Sequence, residues 1–182
     1  PFLNVFVFFL IFAGIILDKM GVRFTAVLSG MVMVVGAGIN YYAVSDFFVE
    51  RSMETFFTNT LNLPQTWWNV TPFYAGMPAS AKLSAIGFMI FGCGAEMAGI
   101  TVSRGIVKWF KGKEMALAMG IEMAIARVGV AVVVVASPAL AAIKPISVSR
   151  PVAFELVLLC IGLICFIVYG FMDKKLDAQG VE

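Results

Sequence analysis

LSAIGFMIFGCGAEMAGITVS (residues 83–103) and MALAMGIEMAIARVGVAVVVVAS (115–137) are two apolar stretches joined by the basic loop RGIVKWFKGKE (104–114). Each apolar stretch exceeds the about 20 residues that a helix needs to cross a bilayer. The first contains Glu96, and the second contains Glu122 and Arg127. Because a charge near the bilayer centre costs roughly 2.5 kcal/mol or more on insertion scales, we expect these three residues to have a function.

The composition is that of an integral membrane protein. Of 182 residues, 61% are hydrophobic and 13% are charged, against about 25% charged residues in soluble domains. The net charge of +2 gives no reason to expect a nucleic-acid partner, and the absence of histidine excludes a His metal site or a His general base. The three cysteines lie in apolar segments and do not predict disulfides. We expect no enzymatic activity, no cofactor and no metal.

Working outward from the hairpin, the sequence predicts an all-α fold with five membrane helices. The predicted helices cover residues 1–17, 24–44, 82–104, 115–137 and 152–172. Residues 45–81 mix charges, prolines and aromatics, and predict a long water-facing loop that begins with a surface helix over Asp46–Phe57. The chain starts at Pro1, already inside an apolar run, so we interpret it as part of a longer protein.

The basic residues predict an orientation. If the Asp18 turn faces the cytoplasm, eight Lys and Arg residues lie on that side and four on the other. The excess of basic residues in cytoplasmic loops supports this choice. The 45–81 loop is then outside the cell or inside a lumen.

The turn between the first two helices carries a motif, formed by Gly14, Asp18, Lys19, Gly21 and Arg23. Glycine permits close helix contact and a tight turn, and an aspartate can cap a neighbouring helix N-terminus. The motif resembles the signature loop between helices 2 and 3 of the major facilitator superfamily, although position 22, a valine here, is basic in many members. The resemblance implies an alternating-access transporter in which these residues, together with Arg104, close the cytoplasmic gate.

The same resemblance assigns the five segments to helices 2–6 of the N-terminal six-helix half, and makes the missing C-terminal half a partner. A narrower likeness lies in Lys108–Glu114 and in the Ala-Arg-Val-Gly run at 126–129. These stretches resemble the lysosomal dipeptide uniporter branch of the superfamily and its bacterial relatives. The implied substrate is a small peptide or an amino-acid-like molecule, and the implied location is a bacterial inner membrane, or a lysosomal membrane in a eukaryote.

Glu96 and Arg127 are the candidate substrate-binding residues. A guanidinium suits a carboxylate bidentately, and Glu96 can accept hydrogen bonds from the ammonium group of a zwitterionic peptide. The alternative is a structural Glu96–Arg127 salt bridge. Glu122 lies about 140° round the helix from Arg127, nearer the cytoplasmic end, where Arg104 is a candidate partner. We predict a structural or gating role for Glu122 rather than substrate contact. If transport is coupled to protons, Glu122 and Glu96 are the candidate proton carriers.

Two other functions stay open at this stage. Arg127 alone would serve a transporter of organic acids on the same fold, and a dependence on Glu96 separates the two substrates. A protein of a different class, a non-transporting membrane scaffold, would function independently of Arg127.

Overall fold

The computed structural model describes residues 6–45, 55–56, 78–110, 112–145 and 147–180. Four long helices account for nearly all of them: α1 (Phe6–Val44), α2 (Ala79–Trp109), α3 (Lys113–Ala142) and α4 (Ser149–Ala178). Within the described ranges, all four are long and apolar enough to cross a membrane. The predicted class, an all-α membrane protein, is confirmed. Most of the 45–81 loop lies outside the described residues, and so does most of its predicted surface helix.

Helix α1 consists of two helical arms separated by Gly21. This residue has φ 80° and ψ 166°, a conformation that glycine adopts readily and other residues avoid. The first arm is 6–20 and the second arm is 22–44. The described part of the predicted segment 1–17, from residue 6 onward, and the predicted segment 24–44 both fall within α1. The charged turn between them narrows to a single non-helical residue, Gly21.

The second arm and α2 pack with their backbones in contact, because glycines face each other across the interface. A Cβ atom on Gly36 would lie 2.4 Å from the backbone nitrogen of Phe91, and one on Gly87 would lie 2.8 Å from the carbonyl oxygen of Gly36. A Cβ on Gly94 would lie 2.8 Å from the backbone nitrogen of Met33. Close backbone approach through small residues is how helices associate tightly in membranes.

Buried hydroxyl groups in this interface donate hydrogen bonds to backbone carbonyl oxygens of their own helices. Thr25 donates to the carbonyl oxygen of Gly21 at 2.8 Å, and Thr101 donates to that of Met97 at 2.7 Å. Ser29 donates to the carbonyl oxygen of Ala26 at 2.7 Å. Since a bilayer offers no water as an alternative partner, these internal hydrogen bonds allow polar side chains inside the apolar bundle.

The other two helices differ in how they join this pair. Helix α4 packs against the second arm, where Leu163 and Phe166 lie over Gly30. Helix α3 makes only a few contacts with α2 and α4, and no residue of its apolar window is buried. Pro138 lies inside α3, which continues to Ala142 rather than ending at the proline. Helices α2 and α4 thus both pack against α1, and α3 makes the fewest contacts of the four described helices.

Gly36→Ala tests the backbone contact. The added methyl group would overlap the backbone of α2, so we expect the free energy of unfolding to fall by about 1–3 kcal/mol. Gly38→Ala is the matched control, because nothing lies within 4 Å of its Cβ position. In that helix interior the alanine should be neutral or stabilising by about 0.5–1 kcal/mol. Unfolding of the purified protein in detergent checks both, and equal effects would contradict the interface.

Candidate functional site

One buried carboxylate, that of Asp173 near the end of α4, gathers side chains from three helices. Lys108 Nζ, near the end of α2, donates to its two oxygens at 3.0 and 2.9 Å. Trp109 Nε1 donates to Oδ1 at 3.0 Å. Arg23 Nε, at the start of the second arm, lies 3.2 Å from Oδ2. Asp177, one turn further along α4, accepts from Lys108 at 2.8 Å and from Arg23. We call these five residues the Asp173 cluster.

Burial of Asp173 makes these contacts necessary. Its side chain is only 1% exposed, whereas those of Arg23 and Lys108 are 43% and 36% exposed. A charge removed from water must be paired and hydrogen-bonded, since its desolvation otherwise costs several kcal/mol. With two cations and two carboxylates, the cluster balances its own charge. It ties the end of α4 to α1 and α2.

Asp173 and Asp177 were not among the predicted site residues because the last predicted helix ended at residue 172. The helix instead continues to Ala178, and Gly180 follows the C-cap residue Gln179 with φ 66°. A glycine in this conformation commonly ends a helix. The signal was present in the spacing, because acids four residues apart share one helix face.

Two aromatic rings flank the cluster. The rings of Trp109 and Tyr169 lie with centroids 6.2 Å apart, tilted by 40°. The Tyr169 hydroxyl lies 2.8 Å from where a Cβ on Gly105 would be, so only glycine leaves room for it there. Among the buried side-chain polar atoms of the described residues, this hydroxyl oxygen has no hydrogen-bond partner. Trp109 thus lies beside Tyr169 while it donates to Asp173.

The signature-like turn contributes a second, more open ion pair. Arg104 Nη2 on α2 donates to Asp18 Oδ1 on the first arm. Both side chains are more than half exposed, at 57% and 65%. The structure therefore brings Asp18, Arg23 and Arg104 to one end of the bundle. Asp18 and Arg104 pair with each other, whereas Arg23 pairs with Asp173 and Asp177. Asp18 pairs with a side chain rather than with a helix N-terminus, and the partner of Arg104 is Asp18 rather than Glu122.

Glu96 and Arg127 lie near the middle of their helices. Helix α2 spans Ala79–Trp109 and α3 spans Lys113–Ala142, which places Glu96 two residues past one midpoint and Arg127 at the other. Glu96 is half-buried and Arg127 is exposed. Glu96 lies about 100° round the helix from Met97, whose side chain is buried. It is thereby displaced from the buried face of α2.

The structure does not join these two residues. Among the ion pairs between described side chains, none contains Glu96, Glu122 or Arg127. Glu122 is half-buried and lines a cavity of about 490 Å³ between α2 and α3, together with Glu114. Arg127 is not part of that wall, in keeping with its different face. The roles in substrate binding and gating stay predictions.

A search of curated proteins finds one relative of limited extent. The sequence is 30% identical over 105 residues to the lysosomal dipeptide transporter MFSD1 of Danio rerio, a match over 52% of this chain and 22% of the relative. The chain thus spans about a fifth of that protein. No family model and no solved structure matches. The likeness and the apolar helices support a multi-pass membrane protein of transporter type.

Asp173→Asn tests whether the buried carboxylate holds the helix ends together. Removing its charge leaves Arg23 and Lys108 without their buried partner, so we expect the free energy of unfolding to fall by about 3–5 kcal/mol. The matched control is Asp177→Asn on the same face of α4, where the carboxylate is 39% exposed and a much smaller loss is expected. Unfolding in detergent measures both. A loss for Asp173→Asn no greater than for the control would show that burial does not matter here.

Proposed function

We propose that this chain is part of a major facilitator superfamily transporter that moves small peptides across a membrane by alternating access. The observation that carries the proposal is the placement of Glu96 and Arg127 near the centres of two apolar helices. Its support is the match to a relative named as a dipeptide transporter. A bacterial inner membrane is the proposed location, or a lysosomal membrane in a eukaryote.

The chemistry of the two central charges suits a zwitterion. Arg127 is exposed on α3 and presents a planar fork to a carboxylate. Glu96 lies beside the buried face of α2 rather than on it, and its carboxylate can accept hydrogen bonds from an ammonium group. Since neither forms an ion pair with another described residue, a substrate need not displace such a partner. Ionisable residues inside membranes mark substrate and ion pathways.

The two charged contacts at the helix ends suit different tasks. The Asp18–Arg104 pair is exposed, and exposed pairs contribute about 0–1 kcal/mol. Such a contact can break and re-form during a transport cycle, as a gate requires. The carboxylate of Asp173, by contrast, is buried, and its contacts hold the frame within which the gate opens. Glu122, at the cavity between α2 and α3, is the proposed gating or proton-carrying acid.

Dipeptide binding tests the clamp formed by Glu96 and Arg127. A ligand at 100 times its Kd raises the free energy of unfolding by about 2.7 kcal/mol. We expect dipeptides to raise the Tm of the full-length protein, and the shift to vanish in Glu96→Gln and in Arg127→Ala. Arg127→Lys should retain only a partial shift, because it keeps the charge but loses the fork. Glu122→Gln is the matched control and should keep the shift.

Three other results would contradict the proposed Glu96–Arg127 substrate site and indicate a different function. Stabilisation by monocarboxylates that requires Arg127 but not Glu96 would identify an organic-acid transporter. A dipeptide shift that survives both Glu96→Gln and Arg127→Ala would place the substrate elsewhere. If no small molecule shifts the Tm and the cellular function survives Arg127→Ala, the protein is a membrane scaffold.

The gate is tested by separating transport from stability. Asp18→Asn should change the free energy of unfolding by no more than about 1 kcal/mol, yet slow dipeptide uptake into proteoliposomes. Exchanging the two charges, Asp18→Arg with Arg104→Asp, should recover part of the uptake. Uptake that is unaffected by Asp18→Asn would remove this pair from the transport cycle.

A further inference from the structure

An apolar groove lies between α1, α2 and α4, beside the Asp173 cluster. Its volume is about 440 Å³, within the roughly 300–1,000 Å³ of sites that hold small molecules. Its walls are almost entirely apolar. Helix α1 contributes Ala26, and α4 contributes Cys165, Phe166, Tyr169 and Met172. Helix α2 contributes Thr101, Val102, Gly105, Ile106, Trp109 and Phe110. Such a lining suits a hydrocarbon chain better than a peptide or an ion.

The groove reaches the charged ends of α2 and α4. Trp109 lines it, while its indole nitrogen donates to Asp173. Tyr169 forms another part of the wall. Trp and Tyr are enriched at the depth of lipid headgroups, so an acyl chain in the groove would bring its headgroup to this charged end.

The surrounding helix ends carry a surplus of positive charge. Over residues 18–23, 104–110 and 173–177 there are six Lys and Arg residues and three Asp residues. Lys174 and Lys175 are exposed and belong to none of the ion pairs between described residues. Clusters of basic residues next to membrane helices attract anionic lipids. The lysines are thus available to a phosphate.

We propose that this groove holds an acyl chain of an anionic phospholipid, whose phosphate is bound by the basic residues around it. The apolar walls select the chain, and the charge surplus selects the negative headgroup. The site lies at the helix ends, apart from Glu96 and Arg127. It therefore stands independently of the substrate that the protein moves.

Quenching of Trp109 fluorescence tests the site. In the full-length protein, every tryptophan except Trp109 is replaced by phenylalanine, and the protein is reconstituted with lipids brominated on their acyl chains. We expect brominated phosphatidylglycerol to quench Trp109 at a lower mole fraction than brominated phosphatidylcholine. The difference should be roughly fivefold for each basic residue that contacts the phosphate.

Matched variants distinguish quenching by lipid bound in the groove from quenching by lipid of the surrounding bilayer. Cys165→Phe narrows the groove and should abolish the preferential quenching. Cys160→Phe, at another exposed cysteine of α4 that does not line the groove, should leave it intact. Lys174→Gln with Lys175→Gln should reduce the preference for phosphatidylglycerol, and Lys144→Gln, beyond the other end of α3, should not.

Two results would overturn the proposal. Equal quenching by the two lipids would show that the headgroup charge is not recognised. If neither lipid quenches Trp109, protein rather than lipid covers the groove.

Discussion

The carboxylate of Asp173 is the constraint on which the charged end of this bundle depends. It is almost completely buried, yet it carries a charge that must be neutralised. Lys108 and Trp109 from α2 and Arg23 from α1 supply the donors. Because the donors come from two helices and the carboxylate from a third, satisfying it holds the ends of α2 and α4 against α1 just after its kink at Gly21. Within the Asp173 cluster, Arg23 and Asp177 lie 154 positions apart in the chain.

Two kinds of contact hold the bundle together, namely close backbone contacts at glycines and ion pairs between charged side chains. Along the membrane interior, Gly36, Gly87 and Gly94 let α1 and α2 meet backbone to backbone. At the charged end, the Asp173 cluster joins α4 to that pair. Helix α3, which carries Arg127, is left with few contacts.

The sequence was sufficient for the fold class and for part of the charged end. Long apolar stretches predicted the all-α membrane fold, and the turn at Asp18–Arg23 was correctly located because Gly21 allows a backbone that other residues avoid. The spacing of charged residues in the sequence could not predict which distant residues form ion pairs. Arg104 meets Asp18 rather than Glu122, and Asp173 gathers partners from helices that are remote in sequence. The Glu96–Arg127 clamp remains a prediction.

We expect Asp173 and Lys108 to stabilise the bundle through their direct ion pair. A double-mutant cycle of Lys108→Gln and Asp173→Asn, read as the free energy of unfolding of the full-length protein in detergent, tests it most directly. A direct contact predicts that the double variant loses less than the sum of the two single losses, by about 0.5–3 kcal/mol. Additive losses, within about 0.3–0.5 kcal/mol, would show that the two side chains act independently and would contradict the claim.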